Sequence, residues 1–454
     1  MIEILVKESL YLETTNKDVI KKIKDDLTIN NPDHIKRLRL KKWLGNTPKF
    51  LNLYEVDENI YILPFGYLSR LEQFLIQSNI KYSIINKNAC VPLKINKTDD
   101  LNLYDYQQKA VDDVLKHDNG ILISPAGSGK TRMAMEIIGK RNQKTLWLTN
   151  NLTLLAQSKR VFKQFYNNKV GEISGGKVNI QEVTFATVQT LSNVDITKYK
   201  DTWGMVVVDE VHRVAGGPTK VMQFYKVLSN LNAKYKYGIT ATLFEQPKDI
   251  SMTPIFLIGE KLHEVSSDDI ERVTAKHILF KLYTKESDEY LNPDKTIDYN
   301  KLLDFLINDE ERNINIVSSL FFNKDRHNLV LSSRNEHLKT LSEYLNNLGV
   351  KNHVLIGTTK NEDREEMLED FKQGKVNFIL SNYQLAKEGL DLPIADTLHM
   401  VLPMREKKTI IQSAGRVERT YPGKVDSKVY DYVDMNHFML VNMYKDRRRH
   451  LNAR

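Results

Sequence analysis

The residues best suited to chemistry read Ser124-Pro125-Ala126-Gly127-Ser128-Gly129-Lys130-Thr131. An apolar run at 120–123 leads in as a strand, and a helix-prone run at 133–138 leads out. Strand, glycine-rich loop, Lys-Thr and helix together make a phosphate-binding loop. Glycines let the backbone curl until several N–H groups face phosphate oxygens, and the helix N-terminus adds partial positive charge. Pro125, Ala126, Gly127, Ser128, Gly129, Lys130, Thr131 and Arg132 are expected to cradle the nucleotide, ATP. Lys130 is expected at the β/γ-phosphates, and Thr131 should hold Mg²⁺ by its hydroxyl. Ser124 stands where the full pattern has glycine. Downstream, the apolar run 205–208 ends in Asp209-Glu210-Val211-His212. Two adjacent carboxylates at the end of a buried strand are an expensive placement without a task. Asp209 is suited to Mg²⁺ through its water shell, and Glu210 to polarising an attacking water.

The elements that must position these groups follow from short apolar runs alternating with helical segments. Residues 121–123, 145–148, 205–208 and 236–239 are expected as buried strands. A second series, 329–332, 353–356, 378–381, 397–401 and 429–433, repeats the pattern. Such alternation predicts parallel sheets covered on both faces. Residues 262–325 join the two series and include a helix-prone stretch at 299–322, and the basic end at 445–450 is expected to fray. Residues 1–98 mix strands (2–6, 59–63, 82–85) with helices (18–27, 67–77). The domains are thus expected at 1–98, 99–262 and 263–454, within a chain of 454 residues.

The net charge of +8, with 41% hydrophobic and 27% charged residues, fits a globular protein with a polyanionic partner. The single cysteine, Cys90, excludes an intramolecular disulfide and a multi-thiolate zinc site, and is expected as a small buried hydrophobe. No signal-peptide pattern and no run of membrane-spanning length occur, so a cytoplasmic protein is expected, in the host cytoplasm if phage-encoded.

With its Asp-Glu-Val-His box, the chain resembles a superfamily 2 helicase of the DExH kind over about residues 100–435. The resemblance implies two tandem RecA-like parallel-sheet α/β motor domains behind a small α+β N-terminal domain. Leu103-Tyr104-Asp105-Tyr106-Gln107 is similar to the adenine-reading segment, implying base contact by Gln107 and stacking by Tyr104. Segments 149–157 and 187–191 resemble backbone-gripping motifs, which places Asn150 and Thr187 at nucleic acid. Gly238-Ile239-Thr240-Ala241-Thr242 resembles the coupling motif, where Thr240 and Thr242, with His212, would link the acid pair to domain closure; Leu243 departs from the family's proline. In the second series, 331–334 and 380–393 resemble motifs that imply nucleic-acid contacts by Ser332 and Ser381 and nucleotide contacts by Gly389 and Asp391. Gln412-Ser413-Ala414-Gly415-Arg416-Val417-Glu418-Arg419 matches Gln-x-x-Gly-Arg-x-x-Arg. On a helix Arg416 and Arg419 would share a face, with Gln412 one turn earlier. Permanently charged guanidinium groups suit a transferring γ-phosphoryl group, reached when the cleft closes.

The N-terminal unit speaks to substrate. Residues 1–98 hold 16 basic and 11 acidic side chains. Lys36, Arg37, Arg39, Lys41 and Lys42 surround two leucines and precede Trp43, a pattern suited to backbone contact plus base stacking. Segment 40–54 in front of this motor is similar to phage helicases of the UvsW type and to the XPB and RecG branches. That resemblance implies forked or branched DNA as partner, unwinding, fork regression and branch migration, 3′→5′ polarity, and a monomer in action. Three alternatives share the motor motifs: an RNA helicase, the motor of a restriction system, and a nucleotide-gated clamp that does not translocate.

Overall fold

The computed structural model describes residues 1–452, apart from Ala126, residues 244–247, Glu271, Arg272, Gly389 and Asp391. The chain divides into two compact units, Met1–Asp269 and Ile270–Arg454.

The first unit carries two large sheets. One orders its strands Glu55–Asp57, Ile60–Leu63, Leu10–Glu13, Ile2–Val6 and Tyr82–Asn86, antiparallel except for the final pair. Period-two alternation sends Ile2, Ile4 and Val6 into the core while Glu3 faces out. Helix Lys17–Leu27 starts at Asn16, whose side chain accepts from the Asp18 and Val19 amides, and buries Val19, Ile23 and Leu27 at four-residue spacing.

The other sheet runs Lys177–Asn179, Val170–Ser174, Val183–Thr187, Thr145–Thr149, Met205–Asp209, Tyr235–Thr240, Asn119–Ile123, Lys261–Glu264. All neighbours are parallel except the Lys177–Asn179 edge hairpin. Met205–Asp209 is buried at every position, as a strand covered on both faces must be. Parallel pairing puts the C-terminal ends of Asn119–Ile123, Met205–Asp209 and Tyr235–Thr240 along one edge, so the phosphate loop, the acid pair and Thr240 emerge together.

Two expectations about domains meet differences here. One continuous hydrophobic cluster joins Ile4, Leu12 and Leu71 to Ile121, Val208 and Ile255, so residues 1–98 share their core with the first parallel sheet. The expected break at 262 falls inside Lys261–Glu264, which pairs with Asn119–Ile123 as an outer strand of that sheet. Cys90 is exposed, a correction to the buried reading. It sits in a segment tied to the sheet by isolated bridges, Ala89 to Ala233 and Pro92 to Gln143, and by the Val91 amide donating to Gln143 Oε1 at 2.8 Å.

The second unit has one sheet, Ala275–Leu282, Ser427–Asp434, Thr397–Met400, Asn328–Ser332, Phe378–Asn382, His353–Leu355, parallel throughout. The stretch 299–322 forms two helices, Tyr299–Asn308 and Glu310–Phe322, because Asp309 leaves helical geometry and caps the second through the Arg312 amide. The basic end does not fray. It lies in helix Phe438–Asn452, where buried Arg447 donates to both Asp431 oxygens at 2.8 and 2.7 Å. A bidentate buried pair is a far stronger tether than an exposed charge cluster.

Candidate nucleotide site and nucleic-acid interface

The loop after Asn119–Ile123 is drawn tight by its own side chains. Gly127 and Gly129 adopt φ of 84° and 80°, a region open to glycine, and Gly129 caps helix Lys130–Arg141. Ser124, the departure from the usual glycine, is fully buried and donates to the Ser128 hydroxyl, while its amide donates to Thr240 O at 2.8 Å. Ser128 Oγ in turn donates to Pro125 O at 2.7 Å. Lys130 Nζ rests 3.4 Å from Pro125 O, and Thr131 lies half-buried in the first helical turn. Ala126 lies outside the described residues.

Gln107 is buried rather than presented. Its amide nitrogen donates to Ser128 O at 2.7 Å, and its oxygen accepts from the Tyr104 amide at 3.0 Å. It therefore holds the loop in this structure. Tyr104 is exposed and stacks on Tyr106 with ring centroids 5.9 Å apart. The exposed Arg132 lies over the Phe165 ring, 5.7 Å from its centroid.

The acid pair meets the loop lysine and the coupling motif. Glu210 takes a left-handed backbone, φ 50° and ψ 50°, where the strand breaks into the 3-10 turn Val211–Ala215. A non-glycine residue pays conformational energy there, which is common at functional sites. Burial, then the Glu210 charge, pushes the Asp209 carboxyl up. Burial also opposes charge on Glu210, but Lys130, His212 and Arg213 outweigh it and hold Glu210 below the ordinary carboxylate range. His212 Nδ1 lies 2.7 Å from Thr240 Oγ1 and 3.1 Å from a Glu210 oxygen. Thr240 Oγ1 donates to Thr242 O at 2.9 Å, so it accepts from His212 Nδ1–H. His212, Thr240 and Thr242 thus form one hydrogen-bonded line, and the same His212 nitrogen lies within ion-pair distance of Glu210.

Sequence reasoning passed over two contributors. Ser158, in helix Leu152–Phe165, donates to Asp209 Oδ2 at 3.4 Å. Arg213 adds positive charge beside Glu210. Only Arg213, next to the box, left a local trace.

The donor set suits Mg²⁺. No cluster of three metal-ligating side chains occurs among the described residues. A hard ion of this kind takes one or two protein oxygens and completes its shell with water and phosphate. The Asp209 carboxylate and Thr131 hydroxyl are such oxygens, and the buried Asp209 charge wants a cation.

Several expected nucleic-acid contacts are corrected. Ser332 and Ser381 are fully buried: Ser332 Oγ pairs with His337 Nδ1 at 3.1 Å, and Ser381 Oγ donates to Leu355 O at 2.9 Å. Both lie on inner strands of a sheet covered by helices. The strand ends beyond them carry the polar groups that reach further out, with Asn382 Nδ2 donating to Asn335 Oδ1 at 3.2 Å. Thr187 is also buried and donates to Thr190 Oγ1 at 3.0 Å, which leaves Gln189 and Thr190 half-exposed. Gln189 Nε2 donates to Asn150 O at 2.9 Å. The Asn150 Oδ1, Thr149 Oγ1 and Thr242 Oγ1 atoms are buried without a hydrogen-bond partner among the described residues. Unsatisfied polar atoms are rare in folded cores, and these follow the strand ends at the motif edge. By contrast, Lys36, Arg37, Arg39, Lys41 and Lys42 are all exposed.

In the second unit, helix Lys407–Val417 carries Gln412 and Arg416. It ends at Val417, so Arg419 lies beyond the helix cap, contrary to the shared-face expectation. Arg416 is buried and donates to Leu390 O. Gln412 Oε1 is buried without a hydrogen-bond partner among the described residues. Gly389 and Asp391 lie outside the described residues.

Comparison with known proteins decides the family. The family model described as "Type III restriction enzyme, res subunit" matches residues 100–245, and "Helicase conserved C-terminal domain" matches residues 312–421. Together they account for more than half of the chain. This chain is a superfamily 2 helicase. As such it is an ATP-hydrolysing enzyme with a nucleic-acid partner, and its two parallel sheets are the tandem RecA-like domains of the superfamily. The protein named "Probable helicase D10" of Escherichia phage T5 is 26% identical to this helicase over 386 residues, covering 81% of this chain and 78% of that protein. "DNA 3'-5' helicase XPB" of Mycobacterium tuberculosis is 27% identical over 319 residues, covering 64% of this chain and 53% of that protein. A solved structure, the ATP-dependent Type ISP restriction-modification enzyme LlaBIII bound to DNA, matches in fold with a TM-score of 0.55. It is 17% identical, over 77% of this chain and 30% of that one. No helix among the described residues is long and apolar enough to cross a membrane.

Proposed function

We propose that this helicase is an ATP-driven DNA motor acting as a monomer on forked and branched DNA, with 3′→5′ polarity. The observation that carries the reading is His212, hydrogen-bonded to Thr240 of the coupling motif and within 3.1 Å of a Glu210 oxygen, so that one ring nitrogen faces both the hydrolytic carboxylate and the coupling motif. DNA as substrate and its polarity are supported by likeness to proteins named as DNA 3'-5' helicases. Branched DNA is supported by the exposed basic segment in the N-terminal region and by its resemblance to the UvsW-type helicases.

In this reading the loop amides and Lys130 hold the phosphates, and the exposed Tyr104 ring stacks on the base. Bound at Asp209 and Thr131, Mg²⁺ would neutralise phosphate charge. Glu210 orients a water toward the γ-phosphorus and accepts its proton as the bond to the bridging β–γ oxygen breaks. Arg416 and Arg419 act on the charge of the transferring group. Departure of phosphate changes the charge that Glu210 faces, and His212 passes that change to Thr240. Contacts to DNA phosphates are sequence-neutral and salt-sensitive.

The test is ATPase stimulation by single-stranded DNA, blunt duplex, fork, four-way junction and RNA, with Lys130→Ala as control. Strongest stimulation by fork or junction is expected, and Lys130→Ala should bind DNA yet hydrolyse nothing. Stimulation by RNA alone would overturn the DNA assignment, and normal turnover by the variant would overturn the site.

A further inference from the structure

We propose that Trp43 is a base-stacking platform that takes an unpaired nucleobase at a DNA junction; this rests on the reading of the protein as a branched-DNA motor. Residues 31–49 form an excursion of the first unit between the paired strands Thr28–Asn30 and Phe50–Asn52. Its helix, Pro32–Arg39, buries none of its residues. Trp43 follows it with 86% of its surface exposed, while Trp147 and Trp203 are 0% and 1% exposed.

The position of the ring is built. Arg37 Nη1 donates to Trp43 O at 3.1 Å. The ring lies against Gly45, whose φ is +51° and where a Cβ would come 3.1 Å from a ring carbon, so glycine lets the indole rest on bare backbone. Asn31 Nδ2 donates to Pro48 O at 2.8 Å and His34 Nδ1 lies 3.1 Å from Thr47 O, which closes the base of the excursion.

Charge and shape select the occupant. From Lys36 to Lys49 the chain has six lysine or arginine residues and no carboxylate. A large apolar ring left in water among cations suits a ligand with a flat apolar face on an anionic chain, which describes an unpaired nucleotide. Paired duplex offers the phosphates without a free base face. The concavity beside the ring is lined by Arg37 and one carboxylate, Asp33, with Trp43 and with Pro218, Thr219 and Met222. The latter three lie in the first turns of helix Pro218–Leu228, which follows the 3-10 turn Val211–Ala215 after Gly216 and Gly217. A stacked base would therefore abut the helix next along the chain from the turn that follows Glu210.

The burial of Trp147 and Trp203 makes Trp43 a built-in reporter. Iodide should quench only Trp43 emission in the free protein. Saturation with a fork bearing single-stranded arms should quench the same emission, with a blunt duplex of equal length leaving it nearly unchanged. Trp43→Phe should keep fork affinity and lose the signal. Trp43→Ala should weaken binding to the fork by about tenfold and to duplex by less than about twofold. Equal quenching by duplex, or fork binding unchanged in Trp43→Ala, would overturn the proposal while the motor reading stands on DNA-stimulated ATPase of the parent. Absence of any DNA-stimulated ATPase in the parent would remove both.

Discussion

At the scale of single residues, the site works through charges placed where water is scarce. Glu210 stays ionised because Lys130, His212 and Arg213 outweigh the cost of burial. Glu210→Gln keeps the shape and removes the proton acceptor. It should lower turnover by about a hundredfold or more while ATP stays bound, as single-turnover assays with labelled ATP would show. Undiminished turnover would contradict the role given to Glu210. A second residue carries a separable test. Lys236 is fully buried, with its ammonium donating to Glu8 O at 3.1 Å and Leu228 O at 3.3 Å and lying 4.2 Å from the centre of the Phe65 ring. Burial, opposed by the Glu8 charge, pushes it down to about 7. An unfolded lysine keeps its proton to about pH 10.4. Between these values the unfolded chain binds a proton that the folded chain does not, so this group makes stability rise with pH from about 7 to about 10. Urea titrations across that window should show the rise in the parent and a flatter profile in Lys236→Met. Identical slopes would place the lysine's proton equally in both states.

At the scale of elements, close backbone contacts decide what can vary. Gly66, in the 3-10 turn Phe65–Tyr67, sits against helix Thr253–Ile258 so closely that a Cβ would strike the Ile255 carbonyl and the Gly259 amide. Backbone atoms cannot swing aside as a side-chain tip can. Gly66→Ala should therefore destabilise the first unit by about 1–3 kcal/mol, read as a lower urea midpoint at unchanged slope. A midpoint equal to the parent's would mean that the turn and helix separate easily. Of the elements around this contact, strand Ile2–Val6 and helices Lys17–Leu27 and Leu68–Gln77 were legible in the sequence because their apolar periodicity is strong, whereas helix Thr253–Ile258 was not. Strands such as Val170–Ser174 and the edge strand Lys261–Glu264 were not, since they are short and partly polar and are held by pairing with other segments.

At the scale of the whole molecule, two compact units each hold a parallel sheet of their own, and the N-terminal region shares its core with the first motor sheet. A chain lacking residues 1–98 would expose the apolar face that Leu12, Val19 and Leu71 now cover. It should aggregate or melt well below the parent in a thermal scan. The fragment 1–269 should instead fold and bind ATP, because the loop, Gln107 and the acid pair all lie within it. It should hydrolyse ATP slower by about a thousandfold or more without Arg416 and Arg419. A soluble, cooperatively melting 99–454 fragment would show that the N-terminal region is a separable module. Full hydrolysis by 1–269 would show that the arginines are dispensable.

The sequence by itself determined the two parallel sheets and the order of the motifs along the chain, with the phosphate loop and the acid pair at strand ends. Those rest on local order: glycines that permit a curl, charges that follow apolar runs, and periodic hydrophobicity. Only the tertiary structure decided which hydroxyls and amides are spent inside the protein. Ser332, Ser381 and Thr187 read as surface contacts, yet their hydroxyls are bonded inward. Gln107 read as a base reader, yet it braces the loop. The fraying end at 445–450 became a helix because Arg447 found Asp431 sixteen residues earlier in the chain. A partner's position across the fold is set by pairing and packing, and no local pattern of residue types encodes it.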